Sequence, residues 1–154
     1  MAVSTAQDVA SFFVSSFQKA GDPVTNLKLQ KLLYYAQGWY LAFTQSPLFE
    51  ERIEAWPHGP VVPPIYGAYK QYQWSPIVGE VSEPRLADPI RKHLEEVMEA
   101  YGVHGAYYLE RLTHQERPWI EARAGLAETE PSNAVITQEA MKRFFQEQGQ
   151  VGNN

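Results

Sequence analysis

Four histidines, His58, His93, His104 and His114, are the residues best suited to chemistry in this sequence. Histidine titrates near neutrality, works as a general base and ligates metals. None of the four stands in an H-x-x-x-H or H-E-x-x-H pair, so no two are set to reach one metal from adjacent helical turns. There is no cysteine, which removes thiolate zinc sites, iron–sulfur clusters, disulfides and a thiol nucleophile. A zinc site would have to be assembled from scattered histidines and carboxylates, against the usual ligand spacings. No phosphate-binding glycine loop and no G-x-S-x-G nucleophile elbow occurs. Ser11, Ser15 and Ser16 fall in a helical stretch, and the neighbours Glu50-Glu51 and Glu95-Glu96 point in different directions. These motifs argue against an enzyme, and no cofactor or metal is expected. One chemical reading stays open, a small hydrolase or metal-dependent site built from His58, His114 and a carboxylate. The alternative is that each of the two bonds backbone left unpaired at its proline-rich break. His93 is expected on the solvated side of its helix.

The elements that must position these residues follow from spacing. Thr5 caps a first helix over about 6–20, which Gly21 stops. Thr25 caps a second helix running to about Phe43, with Leu29, Leu32, Leu33, Ala36, Tyr40 and Phe43 as one stripe. Leu27, Tyr34, Trp39 and Leu41 add apolar surface around the cylinder, the mark of a helix central in its domain. Lys28, Lys31 and Tyr35 are expected at its narrow wet edge. Gly38, in mid-helix, predicts the close approach of another helix. Phe49–Ala55 alternates as a short strand. Pro57, Pro60, Pro63 and Pro64 make Trp56–Pro64 a stiff segment outside the sheet. Val61–Lys70 reads as a short helix, and Gln71–Ala87 as the longest and most mobile loop. Asp88-Pro89 opens a helix that Gly102 stops, and Ala106–His114 is another. Pro118 breaks the chain before Trp119 and Ile120. Ala134–Ile136 is a short strand expected to pair near Ile53–Ala55. Thr137 caps a last helix with Met141, Phe144 and Phe145, and Gln146–Asn154 is a polar, frayed tail. The predicted fold is mainly α: five to six helices around a central buried helix, with a two-stranded β element.

At 154 residues the chain is read as one domain over 1–145 followed by that tail. It carries 13 Lys+Arg against 18 Asp+Glu, a formal charge of −5, with its cations in no stripe. Such a balance argues against a nucleic-acid partner. No apolar run is long enough to span a membrane, and the start lacks a signal-type segment, so no membrane partner and a cytoplasmic location are expected. The chain begins at a methionine and ends soon after the last helix, so no added DNA-binding module is expected. Aromatics are the unusual number: 4 Trp, 9 Tyr and 7 Phe. Rings are the usual anchors of protein interfaces, so some of the 20 are expected to face a partner or a second copy of the chain.

Three stretches taken together resemble one family. They are Leu27–Tyr40 (LKLQKLLYYAQGWY), Ile53–Pro63 (IEAWPHGPVVP) leading to Tyr66, and Leu112-Thr113-His114 with Pro118-Trp119. Their order and spacing resemble the Panacea domain, the SocA-like or GepA (phage-associated protein) family, from about Asp8 to Phe145. The resemblance implies a mainly helical bacterial or phage antitoxin domain, without catalytic activity, that neutralises a cognate protein toxin by direct contact. Occlusion of the toxin and its delivery to an AAA+ protease are the two mechanisms implied. A regulatory module or protease adaptor with no adjacent toxin is the rival reading. Candidate partner contacts are Trp56, His58, Pro60, Tyr66, His114 and Trp119 in the patterned stretches, or less patterned surface such as Gln71–Ala87 or Lys28, Lys31 and Tyr35. The preferred reading of the Trp56–Pro64 motif is a mostly buried structural signature of the fold.

Overall fold

The computed structural model describes residues 2–152. Among them the elements run α1 (Ala6–Lys19), α2 (Asn26–Thr44), β1 (Ile53–Trp56), β2 (Gly59–Val61), α3 (Pro63–Tyr69), a 3-10 turn (Lys70–Tyr72), α4 (Asp88–Tyr101), α5 (Ala106–Thr113), α6 (Arg117–Ala122), β3 (Val135–Ile136) and α7 (Gln138–Gly152). The fold is mainly helical, as the periodicity predicts. Seven helices stand where five to six were expected, and the β element has three strands rather than two.

Helix α2 is the axis. It packs against α1, α3, α4, α5, α7 and β2, and Leu29, Leu32, Leu33, Tyr34, Tyr35 and Ala36 are fully buried. Thr25 Oγ1 accepts from the Lys28 N–H at one end; the chain turns out through Gln45 in the left-handed region, φ 63°, at the other. Gly38 lies directly under the Phe145 ring of α7, the close approach its position in mid-helix predicts. Buried Gln37 secures the exit, donating to the Phe49 carbonyl and accepting from Leu48 N–H. Helix α1 begins on the Thr5 cap and ends at Gly21, φ 75°, where the Asp22 N–H returns to the Phe17 carbonyl.

The sheet order is β2-β1-β3, all antiparallel. Ile53 faces Ile136 and Glu54 faces Val135, the pairing expected between these segments. Trp56–Pro64 is not wholly outside the sheet: Gly59, Pro60 and Val61 pair with Trp56, Ala55 and Glu54. Proline is tolerated there because β2 is an edge strand, where a missing N–H costs no ladder bond. Helix α3 then starts on Pro63 and Pro64, which need no amide partner in the first turn.

Three further expectations are corrected. Gln71–Ala87 is anchored at its centre: Ile77 is fully buried, its N–H bonds the Val24 carbonyl, and Gln18 donates to the Ile77 and Gly79 carbonyls. His93 is buried, with Nε2 2.9 Å from the Ala36 carbonyl oxygen. The last helix does not fray at Gln146 but continues to Gly152; Gln146 reaches the Ala42 carbonyl and Glu147 pairs with Arg117. Residues 153 and 154 of the expected tail lie outside the described residues.

Candidate functional site

The β1–β2 tip places its residues by a tight turn. Gly59 has φ 108°, a conformation open to glycine, and a Cβ there would meet Lys31 Cε at 2.7 Å and Thr113 Oγ1 at 2.9 Å. The two residues ahead of it, Pro57 and His58, are thereby projected outward. The His58 ring is fixed from one side by Glu110 of α5, with Nδ1 2.9 Å from Oε1. The edge of Trp74 meets it from the other, centroids 5.7 Å apart. Trp56 is held through its Nε1, which donates to Glu54 Oε1 at 2.9 Å, and it packs edge-to-face on Tyr66, centroids 5.0 Å apart.

These rings surround a cavity of about 250 Å³ closed below by Asn26, Leu27 and Gln30 of α2 and bounded by Val61, Lys70 and Gln73. The amides beneath it are committed to structure. Asn26 Nδ2 donates to the Tyr66 carbonyl, Gln30 Nε2 to Asn26 Oδ1, and Gln30 Oε1 accepts from Val62 N–H. The first turns of α2 therefore lock α3 against the hairpin and set the pocket's shape. Trp74 is 70% exposed at the mouth, Tyr66 38%. Gln73, at φ 53°, turns the chain to place it there.

Behind the tip stands a buttress. Trp119 Nε1 donates to the Trp56 carbonyl at 2.8 Å and Arg123 Nη1 to the Ala55 carbonyl at 2.9 Å. His114 stacks on Trp119, centroids 4.0 Å apart. Its ring is buried, Nδ1 lies 3.7 Å from Glu128 Oε1, and burial lowers its pKa. Under the tip, the Lys31 ammonium donates to the Pro60 carbonyl at 3.1 Å. Lys31 is fully buried, and desolvation, partly countered by Glu110, pushes its pKa down to about 7.

Of the residues expected at a partner surface, the structure gathers Trp56, His58 and Tyr66 on one pocket. Pro60 and Lys31 lie beneath it, and His114 and Trp119 brace it from behind. Lys28 is elsewhere, its ammonium 2.7 Å from the Gly102 carbonyl. The expected wet edge of α2 is corrected for two residues: Lys31 and Tyr35 are both fully buried. Tyr35 stacks on Tyr101 at 3.9 Å and, with Tyr34, donates to buried Glu116 at 3.0–3.2 Å. Desolvation raises Glu116 to about 7, and burial beside that carboxylate holds both tyrosines well above their usual range. The periodicity of α2 missed this because a lysine and two hydroxyls on an otherwise apolar cylinder find buried partners. Sequence reasoning missed Lys70 and Glu110; Trp74 was included only as part of the Gln71–Ala87 stretch, without being singled out.

As chemistry, the His58–Glu110 pair is an oriented imidazole, but the pocket it borders is lined by no serine, threonine or carboxylate. His114 is on the far side of the tip, stacked and enclosed. Among the described residues no cluster of three or more His, Asp or Glu side chains is arranged to hold a metal ion. No helix of the described residues is long and apolar enough to cross a membrane.

The chain is a helical domain with a small antiparallel sheet and an aromatic-lined pocket at the hairpin tip. The chain belongs to the antitoxin SocA-like, Panacea domain family, whose model matches residues 29–120 and so spans α2 through most of α6. Antitoxin SocA of Caulobacter vibrioides (strain NA1000 / CB15N) is 31% identical, an alignment covering 74% of this chain and 68% of that protein. No solved structure matches.

Proposed function

We propose that this chain is a non-catalytic antitoxin that neutralises a cognate protein toxin by direct contact, and that Trp56, His58, Tyr66, Lys70 and Trp74 form its docking face. Family membership supports the antitoxin role. The observation that carries the docking face is the exposed, pre-positioned Trp74 and His58 beside a ready-made cavity. Rings held by Glu54, Glu110 and Tyr66 have lost their conformational freedom before a partner arrives, so less entropy is spent on binding. Residues such as Trp and Tyr in central pockets carry most of the energy at interfaces. His114, Trp119, Pro60 and Lys31 act indirectly, by holding the tip. Residues 1–145 supply the whole binding unit in this reading.

The test is paired expression in a bacterial host: the product of the adjacent gene alone, then with this chain, followed by co-purification. Relief of growth arrest with a stable complex is the expected result. Relief with loss of the toxin and no complex would replace occlusion with delivery to an AAA+ protease. No arrest and no complex would contradict the antitoxin reading and favour a regulatory module without a toxin.

A further inference from the structure

The charge in the pocket's own lining is opposite to that of the chain. The protein has 18 acidic residues and a formal charge of −5. Yet no carboxylate lines the cavity; Lys70 is its one charged side chain, and His58 its second nitrogen base. Lys70 forms no ion pair with any described residue, and it is exposed. Lys70 therefore brings an unpaired positive charge to the lining of a ring-lined slot. The two acids bonded to its lining, Glu54 on Trp56 and Glu110 on His58, are mostly covered and already occupied, Glu54 also by Arg52.

The slot itself is apolar on its walls. The Trp56–Tyr66 and His58–Trp74 pairs both line it, while the amides of Asn26 and Gln30 in the same lining are already satisfied. At about 250 Å³ it is smaller than the roughly 300–1,000 Å³ typical of drug-sized ligand pockets, a size suited to one inserted side chain. A cation as occupant would face the rings favourably but would be repelled by Lys70. A neutral ring would leave the ammonium unpaired. We infer that the pocket receives an aromatic side chain of the partner with a carboxylate beside it, the ring between the two aromatic pairs and the carboxylate on Lys70. This rests on the docking face proposed above and adds the chemistry of what it reads.

The probe is N-acetyl-L-phenylalanine, compared with its uncharged twin N-acetyl-L-phenylalaninamide. The readout is the indole N–H resonances in a proton–nitrogen NMR spectrum. Trp56 and Trp74 line the pocket, whereas Trp39 donates to Tyr101 Oη in another part of the molecule and Trp119 stands outside the lining with its Nε1 on the Trp56 carbonyl. The acid should shift Trp56 and Trp74, leave Trp39 in place, and bind about two- to five-fold more tightly than the amide, the range of a single exposed ion pair. Lys70→Gln should abolish that preference without abolishing binding, and Trp74→Ala should weaken both probes. Equal affinities for acid and amide, a preference that survives Lys70→Gln, or no response at Trp56 and Trp74 would overturn the inference. So would a concentration-dependent Trp74 shift without probe, which would assign the slot to a second copy of the chain. Because this titration needs no toxin, its failure is separable from a failure of the antitoxin reading, which shows only in the co-expression experiment.

Discussion

Two buried ionisable groups make opposite predictions about stability and pH. Lys31 in the folded chain is pushed down to about 7 from 10.5. The folded state therefore holds fewer protons than the unfolded state between those values, and stability rises with pH across that window, by up to about 1.4 kcal/mol per pH unit. Lys31→Met keeps the apolar stem and removes the proton. Urea unfolding between pH 7 and 9.5 should show the rise in the parent chain and not in the variant; equal slopes would contradict the burial of a neutral amine. Glu116 runs the other way. Its folded value is raised to about 7 from 4.5, so its contribution is complete below 4.5 and is lost as pH climbs through 7. Glu116→Gln keeps an oxygen for Tyr34 and Tyr35 and removes the charge. The variant should gain on the parent steadily from pH 4.5 to 7 in the same unfolding assay. These two groups also show what the residue types conceal: Lys31 and Tyr35 look like solvent-facing positions, and only the hairpin above one and the Glu116 carboxylate beside the other explain their burial.

The central position of α2 was legible because apolar residues occupy most of its circumference, and the close approach of another helix was legible in Gly38, though not that this helix is α7. A Cβ at Gly38 would overlap the Phe145 ring. Gly38→Ala should thus destabilise by about 1–2 kcal/mol, the overpacking cost outweighing a helix-propensity gain of about 1 kcal/mol. Adding Phe145→Leu should return part of the loss in thermal melts, and a stabilised single variant would contradict the packing. Pairing of β1 with β3 was also readable from alternation. The strand at Gly59–Val61 was not, because proline counts against a strand everywhere except at an edge, and edge status is a property of the assembled sheet. The shift in the last helix has a similar cause: Gln146 and Glu147 look like tail residues until Ala42 and Arg117 are brought beside them.

Across the whole molecule, the motif around Trp56–Pro63 divides into two layers. His114, Trp119, Pro60 and Lys31 hold the hairpin from behind and below; Trp56, His58 and Tyr66 line the pocket. The family resemblance brought these residues together from three stretches of sequence but offered no means to sort brace from surface, since both layers use aromatics and histidines. Lys70 and Trp74 join the surface only because α3 folds back over the start of α2. The face is distinct from Phe43, the exposed ring near the end of α2, which lies on a separate groove with Trp39 and His93. Trp74 is largely exposed, so its removal should change stability by no more than about 0.5 kcal/mol. The most direct measurement is therefore the affinity of the purified chain for its cognate toxin, with Trp74→Ala, His58→Ala and Phe43→Ala measured beside it and each variant's melting curve recorded. Docking through the hairpin pocket predicts losses of about tenfold or more for Trp74→Ala and His58→Ala, near-parental melting, and parental affinity for Phe43→Ala. Parental affinity for both pocket variants, or a loss confined to Phe43→Ala, would contradict it.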